Sequence, residues 1–154
     1  AMTAAALGGA EADVAVVAPS TQFADTHVNM GIGAGDGGQV IWPFLIGVNR
    51  AKYYLMSGDK IGGKEAVEMG LASFIVPEDD QLLPRAIEIA STLAAGAPLA
   101  VAASKLAINA YLRSISATVF PLAARAQEET MGSNDHQEAI AAFQEKRAPR
   151  FTGK

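Results

Sequence analysis

The chain contains no cysteine, which excludes a disulfide framework, a thiolate zinc site and a cysteine nucleophile, and leads us to expect a cytoplasmic, reducing setting. Aromatic residues are scarce, with one tryptophan and 6% Phe, Trp and Tyr together. Alanine, in contrast, fills about a fifth of the chain. Side chains this small let helices approach closely, so a helix-rich fold is expected. Charged residues are also few, at 18%, with 16 acids against 12 bases for a net charge of −4. No Lys/Arg cluster interleaves with aromatics, so the electrostatic footprint of a nucleic-acid binder is missing and no nucleic-acid partner is expected. No apolar run approaches the ~20 residues that span a bilayer. The opening Ala1-Met2-Thr3 lacks the basic stretch of a secretion signal, and no membrane partner is expected.

What is present is 154 residues, half of them apolar, enough for one ordinary packed domain and too apolar for a disordered chain. Val14, Val16 and Val17 form a short apolar run closed by Pro19-Ser20, the pattern of a buried strand. Residues 31–38 read Gly-Ile-Gly-Ala-Gly-Asp-Gly-Gly and hold five of the 15 glycines. Such a segment is a shaped loop that needs positive φ or close backbone approach. Short helices are predicted over 40–46, 51–56 and 63–69, the last stopped by Gly70, with a second brief strand over 74–77. Leu82, Leu83, Ala86, Ile87, Ala90 and Leu93 then recur at helical spacing up to Gly96.

Three further helices are expected, from Pro98 to Leu112, from about Ala117 to Met131 with Gly132 behind it, and from an Asp135/Glu138 cap to Lys146. The strands are too few to cover so many apolar helices, so the helices are expected to pack on another chain or on residues outside this sequence.

Several segments, weak singly, carry a resemblance when read in series: Ala6-Leu7-Gly8-Gly9 followed by Glu11 and Asp13; Phe23-Ala24-Asp25; the 31–38 loop; Ser57-Gly58-Asp59-Lys60-Ile61; Glu65-Ala66 with Gly70-Leu71; and the run from Ala142 to Phe151. In order and spacing they resemble the C-terminal half of the enoyl-CoA hydratase/isomerase (crotonase) superfamily. The resemblance implies an α/β fold, a partial crotonase-like ββα spiral with C-terminal trimerisation helices. Residues 1–95 would form the partial spiral core with its active-site loop and 96–154 a helical oligomerisation region, in a homotrimer or hexamer. It also implies action on an acyl-CoA thioester, with no cofactor beyond the CoA of the substrate and no metal.

In that chemistry two backbone amides hold the thioester oxygen as it becomes an enolate, a task suited to a glycine-led helix start. The resemblance gives one of these roles to Gly8 or Gly9. It matches Glu11 to the first of the family's two acid/base glutamates. His27 stands where the second is found, and histidine titrates near neutrality. Asp36 follows nine residues later and meets His27 only if the loop folds back. A carboxylate bonded to one imidazole nitrogen raises the basicity of the other. The alternative for Asp36 is a cap on the next helix, and for His27 a satisfied surface group.

The pair, with the nearby Ile41-Trp42-Pro43, also resembles crotonase-fold β-diketone hydrolases that cleave a C–C bond by retro-Claisen chemistry. A third possibility is a fragment that only oligomerises. Gly35, Trp42, Phe143 and Lys146 are the candidate substrate- or CoA-binding residues by resemblance, although Trp42, like Met30, Met56 and Met69, also reads as packing. His136, at a helix start, reads as a capping or surface residue.

Overall fold

The computed structural model describes residues 13–154. Its strands are short: β1 (Val16–Val17), β2 (Gln22–Phe23), β3 (Ile61–Gly62) and β4 (Phe74–Ile75). Six α-helices accompany them: α1 (Gly38–Ile46), α2 (Val48–Ser57), α3 (Gly63–Met69), α4 (Leu82–Ala94), α5 (Pro98–Met131) and α6 (Asn134–Gln144). Single 3₁₀ turns cover His27–Met30 and Asp79–Gln81.

The valine-rich run before Pro19 does become a strand, but only Val16 and Val17 enter a ladder, parallel to β4 with Val16 opposite Phe74 and Val17 opposite Ile75. β2 and β3 pair antiparallel, Phe23 opposite Ile61. Two two-stranded pieces bury little by themselves. Their stability comes from α1, α2 and α3, which close over them around Val17, Phe23, Trp42, Ile46, Ala51, Ile61 and Ala66. Trp42 and Ile61 are the largest fully buried side chains. Left-handed glycines end two of these helices. Gly58 (φ 71°) donates its amide to the Tyr54 carbonyl, and Gly70 (φ 91°) donates to those of Ala66 and Val67. Both conformations are costly for any residue with a Cβ.

Where two helices are expected between Pro98 and Met131, the structure has one of 34 residues. No glycine interrupts 113–117, and the serines there are absorbed rather than breaking the helix. Ser114 Oγ donates to the Tyr111 carbonyl at 2.8 Å, a back-bond that mid-helix serine tolerates. Pro121 lies inside the same helix. The C-terminal helix also differs from expectation. Its cap is Ser133, whose Oγ accepts the His136 amide at 3.2 Å, and the helix stops at Gln144.

α4 and α5 meet at a break bent by 108°, and among the described residues no single helix is long and apolar enough to cross a membrane. Along both helices Leu83, Ile87, Leu99, Leu106 and Leu122 remain exposed, so no described residue covers these apolar faces.

Gly63 opens α3 against the backbone that follows β1. A Cβ there would run into the Ala18 carbonyl oxygen, a backbone atom that cannot swing aside. We expect Gly63→Ala to destabilise the fold by about 1–3 kcal/mol, read as a lower midpoint in chemical denaturation. An unchanged midpoint would show that the Ala18–Gly63 contact is looser than described.

Candidate functional site

The 31–38 loop is shaped from outside, by α5 and α6. The Gly33 amide donates to Thr130 Oγ at 2.9 Å. A Cβ at Gly35 would strike the Gln127 side chain and lie 3.0 Å from the Ala123 carbonyl oxygen, and one at Gly31 would lie 2.8–2.9 Å from the Asp135 and His136 backbone. Gly31 and Gly35 are therefore there for close approach, and Gly31 for positive φ (68°) as well. His136 Nδ1 lies 2.7 Å from the Met30 carbonyl oxygen and fastens α6 to the 3₁₀ turn, a bridging role that neither the capping nor the surface reading anticipates.

This docking folds the loop back over the end of β2 and brings Asp36 to His27. His27 Nε2 lies 3.6 Å from Asp36 Oδ2, too long for a direct hydrogen bond but within reach of a charge pair when the ring is protonated. The other ring nitrogen has a closer partner, because Asp25 Oδ1 is 2.7 Å from His27 Nδ1 and also accepts the His27 backbone N–H at 3.3 Å. The sequence reading gives the orienting role to Asp36; the structure gives the short bond to Asp25. The signal for it lies in the chain, since an Asp two residues before a His can turn back onto the following amide, as Asx turns do. Asp36 does not cap α1, which has Gly37 (φ 121°) at that position and no side-chain cap.

Asp25 is the one buried charged residue among those described, 2% exposed. Its Oδ2 and Asp36 Oδ1 have no hydrogen-bond partner among the described residues. Oδ2 lies against the first turn of α1, where a Cβ on Gly38 would come within 2.9 Å of it. The positive end of the helix favours a carboxylate there. Asp25, His27 and Asp36 each offer an atom within 4.8 Å of the others, so the cluster has two acids around one base.

Asp36 also lines a cleft of about 900 Å³ between α1 and α5. Val40, Ile41 and Phe44 face Ile108 and Leu112 across it, and Asp13, Asp36, Lys105 and Arg113 are its charged lining groups. Lys105 Nζ is paired with Asp13 Oδ2 at 2.6 Å. An apolar cleft with a few placed polar groups suits a ligand with an acyl portion. His27 lies behind Asp36 and is not among the lining residues.

The remaining candidates fall in several places. Gly8, Gly9 and Glu11 lie outside the described residues. Trp42 belongs to the core at 2% exposure and does not line the cleft; its burial matches the packing alternative. Gly35 packs beneath α5. Phe143 is 75% exposed, and Lys146 is exposed in a left-handed conformation (φ 55°) that turns the chain back along α6.

That reversal brings Arg147 to Glu138 as a two-pronged ion pair at 2.5 and 2.9 Å. Glu138 also accepts the Arg150 amide at 2.8 Å, and Asp135 accepts the Thr152 and Gly153 amides at 2.6 and 2.8 Å. Asp135 and Glu138, expected as a helix cap, thus clasp the tail instead.

Short strands under a helical layer, a glycine loop pinned by a long helix, and an acid–base cluster beside an apolar cleft make an α/β arrangement that sets titratable side chains next to room for a small ligand. The sequence profile of the enoyl-CoA hydratase/isomerase family matches residues 4–154. The chain is 32% identical to the short-chain-enoyl-CoA hydratase of Clostridium acetobutylicum, over 92% of this chain and 56% of that protein. It is 31% identical to the human mitochondrial methylglutaconyl-CoA hydratase, over 92% of this chain and 42% of that protein. Among solved structures, the enoyl-CoA hydratase/isomerase from Pseudoalteromonas atlantica T6c superposes with a TM-score of 0.85 at 26% identity, covering 96% of this chain and 59% of that one. The chain belongs to the enoyl-CoA hydratase/isomerase family, with the crotonase fold. It spans 42–56% of the length of these two curated relatives.

The tail clasp has a defined pH window. The Arg147 side chain and then the Arg150 amide hold the Glu138 carboxyl down to about 2 from an ordinary 4.5, and the Thr152 and Gly153 amides lower that of Asp135. Both acids titrate lower when clasped than when free. Their contribution is therefore fully present above the ordinary carboxylate values and is lost as pH falls from there towards about 2. The Arg150, Thr152 and Gly153 amide resonances should hold steady at neutral pH and move together below pH 4.5; amides already averaged to free-chain positions at neutral pH would contradict the clasp.

Proposed function

We propose that this chain contributes the proton-transfer side of a hydratase or isomerase acting on an acyl-CoA thioester. The observation that carries the reading is the His27–Asp36 pair beside the α1–α5 cleft, in a chain matched to the family over residues 4–154. The acyl portion lies along the apolar wall at Val40, Ile41 and Phe44. As electron density moves onto the thioester oxygen, an enolate forms, stabilised by backbone amides that include Gly8 or Gly9.

For hydration, the pair takes a proton from water, the oxygen bonds to Cβ, and a proton is delivered to Cα. Water has then added across the double bond and both side chains regain their starting state. Glu11 is the second acid/base group. The exposed Phe143 and Lys146 supply a ring and an ammonium to the CoA moiety. No cofactor beyond that CoA is required. The thioester reading stands ahead of β-diketone cleavage because the relatives named above are all enzymes of CoA compounds.

The exposed apolar face of α5 supports assembly of residues 96–154 into a trimer or a hexamer, and the lack of cysteine accords with a cytoplasmic setting. The test is turnover of a chain-length series of α,β-unsaturated acyl-CoA thioesters, followed by the absorbance of the conjugated thioester. His27→Ala should lower kcat by about 10²–10⁴-fold, the contribution of a positioned proton-transfer group, with a much smaller change in KM. Failure of every thioester to bind, or unchanged turnover in His27→Ala, would overturn the proposal.

A further inference from the structure

We infer that Asp25 is a positioning residue: it fixes His27 in the tautomer that carries its proton on Nδ1 and leaves Nε2, the nitrogen facing Asp36, as the basic site. The inference deepens the reading of His27 given above and rests on it for its functional meaning, though not for its structural test.

A neutral imidazole has one donor and one acceptor nitrogen, and the bond made by one determines the state of the other. An ionised carboxylate only accepts, so the 2.7 Å approach of Asp25 Oδ1 to Nδ1 requires the proton on that nitrogen. The same oxygen takes the His27 backbone N–H. The carboxylate is thus anchored both to the ring it orients and to the main chain that carries the ring.

The Asp25 side chain is wholly buried, whereas that of His27 is 23% exposed. The anchor is consequently the rigid member of the pair. Its remaining oxygen lies at the start of α1, against Gly38. A Cβ at position 38 would press on that oxygen, so Gly38 is part of the same device. Asp25 and Asp36 address opposite ring nitrogens, 2.7 and 3.6 Å away. The three residues also offer atoms within 4.8 Å of one another, so the two acids flank the imidazole closely, the buried one on Nδ1 and the cleft-lining one on Nε2.

The tautomer can be read without substrate. The chain has two histidines, and His136, with Nδ1 at 2.7 Å from the Met30 carbonyl oxygen, carries its proton on Nδ1 as an internal reference, because a carbonyl only accepts. In long-range ¹H–¹⁵N spectra of the full chain labelled at histidine, recorded where the rings are neutral, both should show the Nδ1–H pattern. In Asp25→Asn, whose amide can turn its NH₂ to the ring, and in Asp25→Ala, which removes the partner, His27 should lose that pattern while His136 keeps it. With a thioester substrate that the unaltered chain turns over, Asp25→Asn should lower kcat by about 10²–10⁴-fold at little changed KM.

A His27 in the Nε2–H form in the unaltered chain would overturn the inference whether or not any variant folds. So would an unchanged Nδ1–H pattern in a folded Asp25→Ala variant. A fixed tautomer in a chain that turns over no thioester would leave the positioning intact and count against the thioester reading alone.

Discussion

The site depends on one steric constraint, the seating of a glycine-rich loop beneath a helix ninety residues further along the chain. Gly31 and Gly35 let the loop backbone lie against Ala123, Gln127 and the start of α6 at distances that would expel a Cβ or force a side chain aside, and the Gly33 amide is tied to Thr130 between them. Thr130 Oγ serves this seat twice, accepting the Gly33 amide and donating to helix carbonyls within α5. Only with the loop held there does Asp36 reach His27 and take its place in the cleft wall. A long helix with much exposed apolar surface is thereby also the template for a polar site.

Electrostatics then sets the order of the groups. An isolated carboxylate as buried as Asp25 would be costly to ionise. It is accommodated here because the imidazole N–H, a backbone N–H and the positive end of α1 surround it. His27 is more exposed than Asp25 and Asp36 lines the cleft, so the cluster has one fixed interior acid and one acid open to ligand. Such gradation is what a proton-transfer group needs, with orientation supplied from behind and access in front.

The regular helices were largely legible in the chain. Apolar spacing places α4 within its observed bounds, and Gly58 and Gly70 mark helix ends that the structure realises as left-handed caps. The misplaced break near residue 115 has a physical cause, because serines that bond back to their own helix look in sequence like the end of one. The convergence of His27 and Asp36 followed from the glycine loop and the need for it to fold back. Asp25 was missed because a short acidic residue beside a strand resembles any turn residue until its burial is known. Trp42 was ambiguous because tryptophan suits both a core and a ligand wall, and Phe23, Ile61 and Ala66 packed around it decide between them. The tail clasp was invisible, since Asp135 and Glu138 also fit the spacing of a capping box.

The central claim is that His27 and Asp36 act as one unit beside the cleft. Its most direct test is a double-mutant cycle on turnover of an unsaturated acyl-CoA, using His27→Ala, Asp36→Asn and the pair. Residues that work as a unit lose most of their effect with the first substitution, so the double variant should be scarcely slower than the worse single one. Losses in kcat that multiply, each substitution costing the same in either background, would show that the two side chains act independently and would contradict the account.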